Sequence, residues 1–179
     1  LPDFSVDHRT YFEKPGYASL RRFRESKSEA DYFLTANLKT RGSGLESSEM
    51  IERIFQEWQR LETDGKWLVR TGVVMPDHAH LLIRLGEGGS LEECMRLFKG
   101  RLSPELRARG LCWQEGFYDH RIREPSDLLP VFLYIFLNPY RAALIKQSER
   151  WPGYYCLAAD WAWFGEMTSE SLPLPELLR

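Results

Sequence analysis

Two histidines separated by one residue, His78 and His80, lie in the run Val73-Val74-Met75-Pro76-Asp77-His78-Ala79-His80-Leu81-Leu82-Ile83. The apolar, β-prone residues around them read as a strand, and side chains at i and i+2 of a strand point to the same face. Two imidazoles are thus presented side by side from a stiff element, while Ala79 points the other way. That arrangement offers two nitrogen ligands to one divalent ion. The chain has four histidines in all, so half of them are committed to this spot. Two imidazoles leave such an ion short of ligands. Mg²⁺ or Mn²⁺ takes about six, mostly oxygens and water, and its open positions can grip and polarise a phosphate. The same pair in a strand also suits a purely structural, hydrogen-bonded role.

A second constellation lies in Leu133-Tyr134-Ile135-Phe136-Leu137-Asn138-Pro139. Tyr134 and Asn138 are four apart and share one helix face. A tyrosine phenol can attack phosphorus and hold a covalent phosphodiester. Its ordinary pKa is ~10, so a metal beside the scissile phosphate has to lower the barrier. The Asn138 amide oxygen can serve as a third metal ligand. Two structural readings compete with this chemistry. Asn138-Pro139 has the composition of an N-cap and first helical position, and Tyr134 suits an ordinary amphipathic core position.

The elements that must position these groups follow from periodicity and punctuation. Residues 31–40 read as a first strand, broken by Gly42-Ser43-Gly44. Ser47-Ser48-Glu49 opens a helix whose apolar face runs through Ile51, Ile54, Phe55, Trp58 and Leu61, and Asp64-Gly65 ends it. Residues 66–75 and 78–85 form a hairpin about Pro76-Asp77, which places the histidines near one end of the sheet. Ser90 caps a second helix with Glu93 in the capping-box position, and Pro104 either interrupts that helix or starts a further short one. A fourth strand falls within residues 113–123. Pro125 or Ser126 opens a third helix, and a further helical stretch follows Pro139 to Ile145. The order β-α-β-β-α-β predicts an α+β, ferredoxin-like (split βαβ) fold: an antiparallel sheet with helices on one face, plus an extra C-terminal helix carrying Tyr134. Residues 1–29 read as an N-terminal extension, 30–146 as the main domain, and 147–179 as a Trp- and Pro-rich tail packed irregularly on it.

Length and composition suit one domain with its own core: 179 residues, 43% hydrophobic, 28% charged. No apolar run reaches the ~20 residues needed to cross a membrane, and Leu1-Pro2-Asp3-Phe4 lacks the features of a secretory leader. Cys94, Cys112 and Cys156 form no CxxC pair, which speaks against a zinc knuckle or disulfide framework and for a reducing cytoplasm. The net charge of −2 argues against a general polyanion binder, but its distribution is uneven. Arg21, Arg22, Arg24, Lys27, Lys39 and Arg41 stand against three acids. Arg96, Lys99, Arg101, Arg107, Arg109, Arg121 and Arg123 likewise face three, whereas the tail from Gln147 is acidic. A basic face or a set of solvated helix faces would both produce this pattern.

Three blocks taken together resemble a known family. They are Pro76-Asp77-His78-Ala79-His80-Leu81-Leu82-Ile83, Trp113-Gln114-Glu115-Gly116-Phe117-Tyr118-Asp119-His120-Arg121-Ile122-Arg123, and Tyr134-Ile135-Phe136-Leu137-Asn138-Pro139-Tyr140-Arg141-Ala142-Ala143-Leu144-Ile145. In this order they are similar to the signature blocks of the Y1 transposases, the IS200/IS605-like branch of the HUH nucleases. Arg21-Arg22 ahead of the first strand and Trp151-Pro152 in the tail resemble the REP-associated tyrosine transposase subgroup. The resemblance spans roughly residues 20 to 160.

The resemblance implies a metal-dependent endonuclease and strand transferase acting on single-stranded DNA beside a hairpin. His78 and His80 would be the metal-binding pair, Asn138 the polar third ligand, and Tyr134 the nucleophile that becomes linked to the 5′-phosphate. Mg²⁺ or Mn²⁺ is the implied cofactor, and the bacterial cytoplasm, at the nucleoid, the implied location. Basic helix surfaces would bind the hairpin, which fits Arg96, Lys99, Arg101, Arg121 and Arg123, and Arg21, Arg22 and Arg24. Both a monomer and a homodimer that exchanges the tyrosine helix are compatible with the family pattern.

His120 suits either an auxiliary role near metal or DNA or a structural hydrogen bond. Trp113 and Phe117 suit base stacking or core packing, and Asp77 either orients His78 or shapes the turn. His8 reads as incidental. Two other functions fit parts of the chain: a hairpin-binding protein that needs no cleavage, and an RNA-binding sheet. The histidine pair counts against the latter, because such sheets display stacking aromatics.

Overall fold

Alternation along Asp31-Tyr32-Phe33-Leu34-Thr35-Ala36-Asn37 sends Tyr32, Leu34 and Ala36 to one side of a strand and Phe33 to the other. Both sides are covered, so the sheet has two apolar faces. The structure, a computed structural model, describes residues 26–40 and 42–178. Arg21, Arg22, Arg24, Arg41 and His8 lie outside the described residues.

Strand β1 (Asp31–Asn37) is followed by helix α1 (Ser48–Thr63), the hairpin β2 (Trp67–Val74) and β3 (His78–Leu85), helix α2 (Leu91–Ala108) and strand β4 (Tyr118–Arg121). Helix α3 (Leu128–Arg141), strand β5 (Tyr154–Cys156) and helix α4 (Ala158–Phe164) complete the body, and a small hairpin of β6 (Thr168–Ser169) and β7 (Leu172–Pro173) closes the tail. The main sheet has the order β4-β1-β3-β2-β5, antiparallel throughout. The first four strands make the ferredoxin-like β-α-β-β-α-β arrangement. Strand β5 was not expected from the sequence: three residues are too few to show a period, and its pairing partner β2 lies some eighty residues upstream.

Helices α1 and α2 cover one face through Met50, Ile54, Trp58 and Leu61 and through Cys94, Met95, Phe98 and Leu102. Helix α3 covers the other with Val131, Phe132, Ile135 and Phe136 over Phe33, Val73 and Leu82. Each such buried Phe or Leu contributes roughly 1.5–3 kcal/mol of transfer free energy, which holds α3 flat on the sheet. Gly72 lets Trp58 of α1 approach β2 closely: a Cβ there would lie 2.8 Å from the indole Cη2.

The starts of α1 and α2 are those the sequence predicts. The Ser47 hydroxyl accepts from the Met50 amide and the Ser90 hydroxyl from the Glu93 amide. The second half of the box at Ser90 is not made, because the Glu93 carboxylate instead accepts from Lys66 Nζ at 3.0 Å. Pro104 neither interrupts α2 nor starts a new helix; α2 runs on to Ala108.

Two expectations for the tyrosine helix are corrected. Pro139 sits inside α3, so Asn138-Pro139 is not a helix start. No helical stretch reaches Ile145, because α3 ends at Arg141. The Ala143 amide donates to the Tyr140 carbonyl and the Leu144 amide to that of Pro139. This is a Schellman closure with Ala143 in the left-handed region at φ 53°.

The tail is tied to the sheet. Val69 pairs with Ile83 and Thr71 with Leu82, so Arg70 is an extra residue, a β-bulge. The bulge turns consecutive Arg70 and Thr71 toward the α3 side. There Arg70 meets Asp31 at 2.8 Å and lies 5.6 Å from the Phe132 ring centroid, and its Nε donates to Asp160 of α4 at 3.0 Å. Trp151 donates its indole N–H to the Val74 carbonyl.

Candidate active site

His78 and His80 open β3, the central strand of the sheet. Ala79 between them is fully buried under α1 and α2, so both imidazoles face α3. Their ring centroids are 4.5 Å apart. Asp77 in the hairpin turn lies 2.6 Å from Nδ1 of His78, and its backbone carbonyl accepts from the Leu38 amide. It therefore orients the His78 ring and shapes the turn at once. Thr35, the cross-strand partner of His80 on β1, places Oγ1 2.9 Å from Nδ1 of His80. A proton on each Nδ1, given to Asp77 or Thr35, leaves the Nε2 lone pairs open.

His80 is buried, and that burial, followed by the nearby His78, pushes its pKa well below 6.5. It is a neutral imidazole at pH 7, the form that binds metal. Phe33 stacks on it at 5.3 Å and meets the Tyr134 ring edge-on at 5.7 Å.

Tyr134 reaches the pair from α3, and its hydroxyl lies 3.4 Å from Nε2 of His80. Histidine and tyrosine thus converge within a single chain, although 54 positions separate them. Asn138 lies one turn further along the same stripe of α3 and is half-buried. Among the described residues no group of three or more His, Cys, Asp or Glu side chains is placed to hold a metal ion. Asn138 carries a side-chain amide oxygen on this stripe, beside the hydroxyl of Tyr134.

The remaining sequence candidates divide. His120 is the cross-strand partner of Phe33 and shares the sheet face of the histidine pair, two strands away. Trp113 and Phe117 pack against the layer of α1 and α2. Lys99 donates to the carbonyls of Gln114 and Gly116 at 2.5 and 2.6 Å. Arg101 is paired with Asp64 at 3.3 Å and Glu57 at 3.6 Å. Arg96 and Arg123 are exposed and Arg121 half-buried, with no ion pair to the described residues.

Thr35 and Phe33 were missed by sequence reasoning. The available signal was Thr35 itself, a polar side chain in an otherwise apolar stretch of a buried strand.

A family described as "Transposase IS200 like" matches residues 26–122. The chain belongs to the IS200-like transposases. The matched region carries β1 to β4 and the histidine pair but stops before α3, so the placement of Tyr134 in this transposase rests on the geometry above. A REP-associated tyrosine transposase of Escherichia coli (strain K12) is 27% identical over 122 residues, 68% of this chain and 73% of the relative. A putative REP-associated tyrosine transposase of Haemophilus influenzae is 29% identical over 96 residues, 44% of this chain and 53% of that one. A solved REP-associated tyrosine transposase bound to a REP hairpin superposes with a TM-score of 0.65 at 26% identity. It covers 74% of this chain and 79% of its own. Among the described residues no helix is long and apolar enough to cross a membrane.

Proposed function

We propose that this transposase is a divalent-metal-dependent endonuclease and strand transferase that binds a DNA hairpin and cuts single-stranded DNA beside it through Tyr134. The observation that carries the reading is the 3.4 Å approach of the Tyr134 hydroxyl to Nε2 of His80 across two separate elements. The solved relative bound to a REP hairpin supports a hairpin as the bound form of DNA.

His78, His80 and Asn138 would hold Mg²⁺ or Mn²⁺, which when bound neutralises charge on the scissile phosphate. Two imidazoles favour Mn²⁺ somewhat over Mg²⁺. Asp77 and Thr35 fix the two rings. Tyr134 Oη attacks phosphorus, the new Oη–P bond forms and the P–O3′ bond breaks. The phenolic proton passes to solvent and the departing 3′ oxygen takes one up. The 5′-phosphotyrosine keeps the energy of the broken diester, so a 3′-OH can reverse the step and join strands. Because tyrosine and histidines meet within one chain, a single subunit suffices for cleavage.

The test is incubation of the protein with labelled hairpin-bearing single strands from the flanks of its own gene, with Mn²⁺ or EDTA, beside Tyr134→Phe. A metal-dependent adduct stable in denaturant and absent from the variant is expected. Hairpin binding without any adduct in the wild type would instead make the chain a non-cleaving hairpin-binding protein.

A further inference from the structure

Helix α3 carries a third polar residue on the stripe of Tyr134 and Asn138. Arg141 is seven positions after Tyr134 and three after Asn138, so the three recur on one helix face. Long side chains on a helix lean toward its N-terminus, which aims Arg141 back along that stripe. The Schellman closure at Ala143 ends α3 immediately beyond it, so no further turn of helix covers the side chain.

Three observations bear on Arg141. No carboxylate among the described residues pairs with it, a state it shares with Arg96, Arg121 and Arg123, whereas Arg53, Arg70, Arg84, Arg101 and Arg109 all have one. The residue as a whole is exposed, yet its guanidinium loses enough hydration to lower its pKa. The group that pushes back is Tyr134, whose phenol lies close enough for their charges to interact. A partly desolvated cation without a carboxylate partner, on the helix stripe of the Tyr134 hydroxyl, is suited to a phosphate oxygen.

We propose that Arg141 is a substrate-contacting residue of the cleavage reaction, its guanidinium binding a non-bridging oxygen of the phosphodiester that Tyr134 attacks. This rests on the nuclease reading above. The guanidinium carries positive charge to the side of the phosphate away from the histidine strand and stabilises the charge that builds as Oη–P forms and P–O3′ breaks.

The experiment uses the full chain with a hairpin-bearing single strand and Mn²⁺, comparing wild type, Arg141→Ala, Arg141→Gln and Arg141→Lys. The single-turnover rate of adduct formation should fall about 100-fold in the Ala and Gln variants, the scale of losing one preorganised charge donor. Lys should recover part of that rate. Affinity for the same hairpin lacking the scissile linkage should change less than about 3-fold, because a single phosphate contact adds little to binding of a whole hairpin. A neutral methylphosphonate at the scissile position removes the anionic oxygen, so the gap between wild type and Arg141→Ala should shrink to under about 10-fold. An undiminished rate in Arg141→Ala, or the same gap on the neutral linkage, overturns the assignment while leaving Tyr134 as nucleophile. If the wild type makes no Tyr134-dependent adduct, the nuclease reading falls and this assignment with it.

Discussion

Oγ1 of Thr35 lies 2.9 Å from Nδ1 of His80, and the two residues face each other across β1 and β3. The contact fixes the ring so that Nε2 is turned to Tyr134. Replacing Thr35 by Val keeps the shape and removes the partner. Mn²⁺ affinity, read by calorimetry, should drop about 10-fold, as for loss of an outer partner of a ligating histidine. Thr35→Ser should restore it. Unchanged affinity in Thr35→Val would show that Phe33 stacking alone orients the ring.

Neutral His80 makes metal-free stability depend on pH. Its pKa in the folded chain is well below 6.5, through burial first and His78 second. The unfolded chain takes up a proton near pH ~6.5 and the folded chain does not. Stability is therefore lost as pH falls below about 6.5 toward the folded value. In EDTA, the melting temperature of the wild type should fall more steeply between about pH 7.5 and 5.5 than that of His80→Asn. Parallel slopes would remove His80 from the explanation.

Arg70 joins β1 to the tail through Asp31 and Asp160, all three side chains being at most 13% exposed. Asp160→Ala leaves part of a buried guanidinium without its partner. A loss of about 3 kcal/mol is expected in urea unfolding, as for one half of a buried ion pair. A loss under about 1 kcal/mol, the range of an exposed pair, would mean that water reaches the site readily.

Lys99 and Arg96 are three apart on α2 yet should behave differently with DNA. Lys99 is engaged with the carbonyls of Gln114 and Gly116, while Arg96 is exposed with no ion pair to the described residues. Lys99→Met should lower the melting temperature and leave the salt dependence of hairpin binding unchanged. Arg96→Ala should leave stability alone and reduce the salt slope by about one. A shallower slope in Lys99→Met would place that ammonium on phosphate.

Local chemistry determined a good part of this molecule. The period of two in β3 put His78 and His80 on one face and Ala79 on the other. The period of 3.6 put Tyr134 and Asn138 on one stripe. Ser47, Ser90 and Asp64-Gly65 marked helix ends because an unsatisfied backbone group there needs a nearby side chain or turn. Where two local signals competed, the sequence was not enough. Pro139 has the composition of a helix start, but the apolar run from Val131 to Leu137 is buried against Phe33, Val73 and Leu82, and that packing carries α3 through it. The two backbone carbonyls to which Lys99 donates, fifteen and seventeen residues away, leave no trace in composition.

The tertiary structure alone decided which sheet face α3 covers, and hence that Tyr134 meets His80 within its own chain. It also decided the Thr35 contact, the bulge that exposes Arg70 to Asp160, and the pairing of β5 with β2. Periodicity specifies which side chains share a face. Which faces meet is settled by burial summed over many residues distant in sequence.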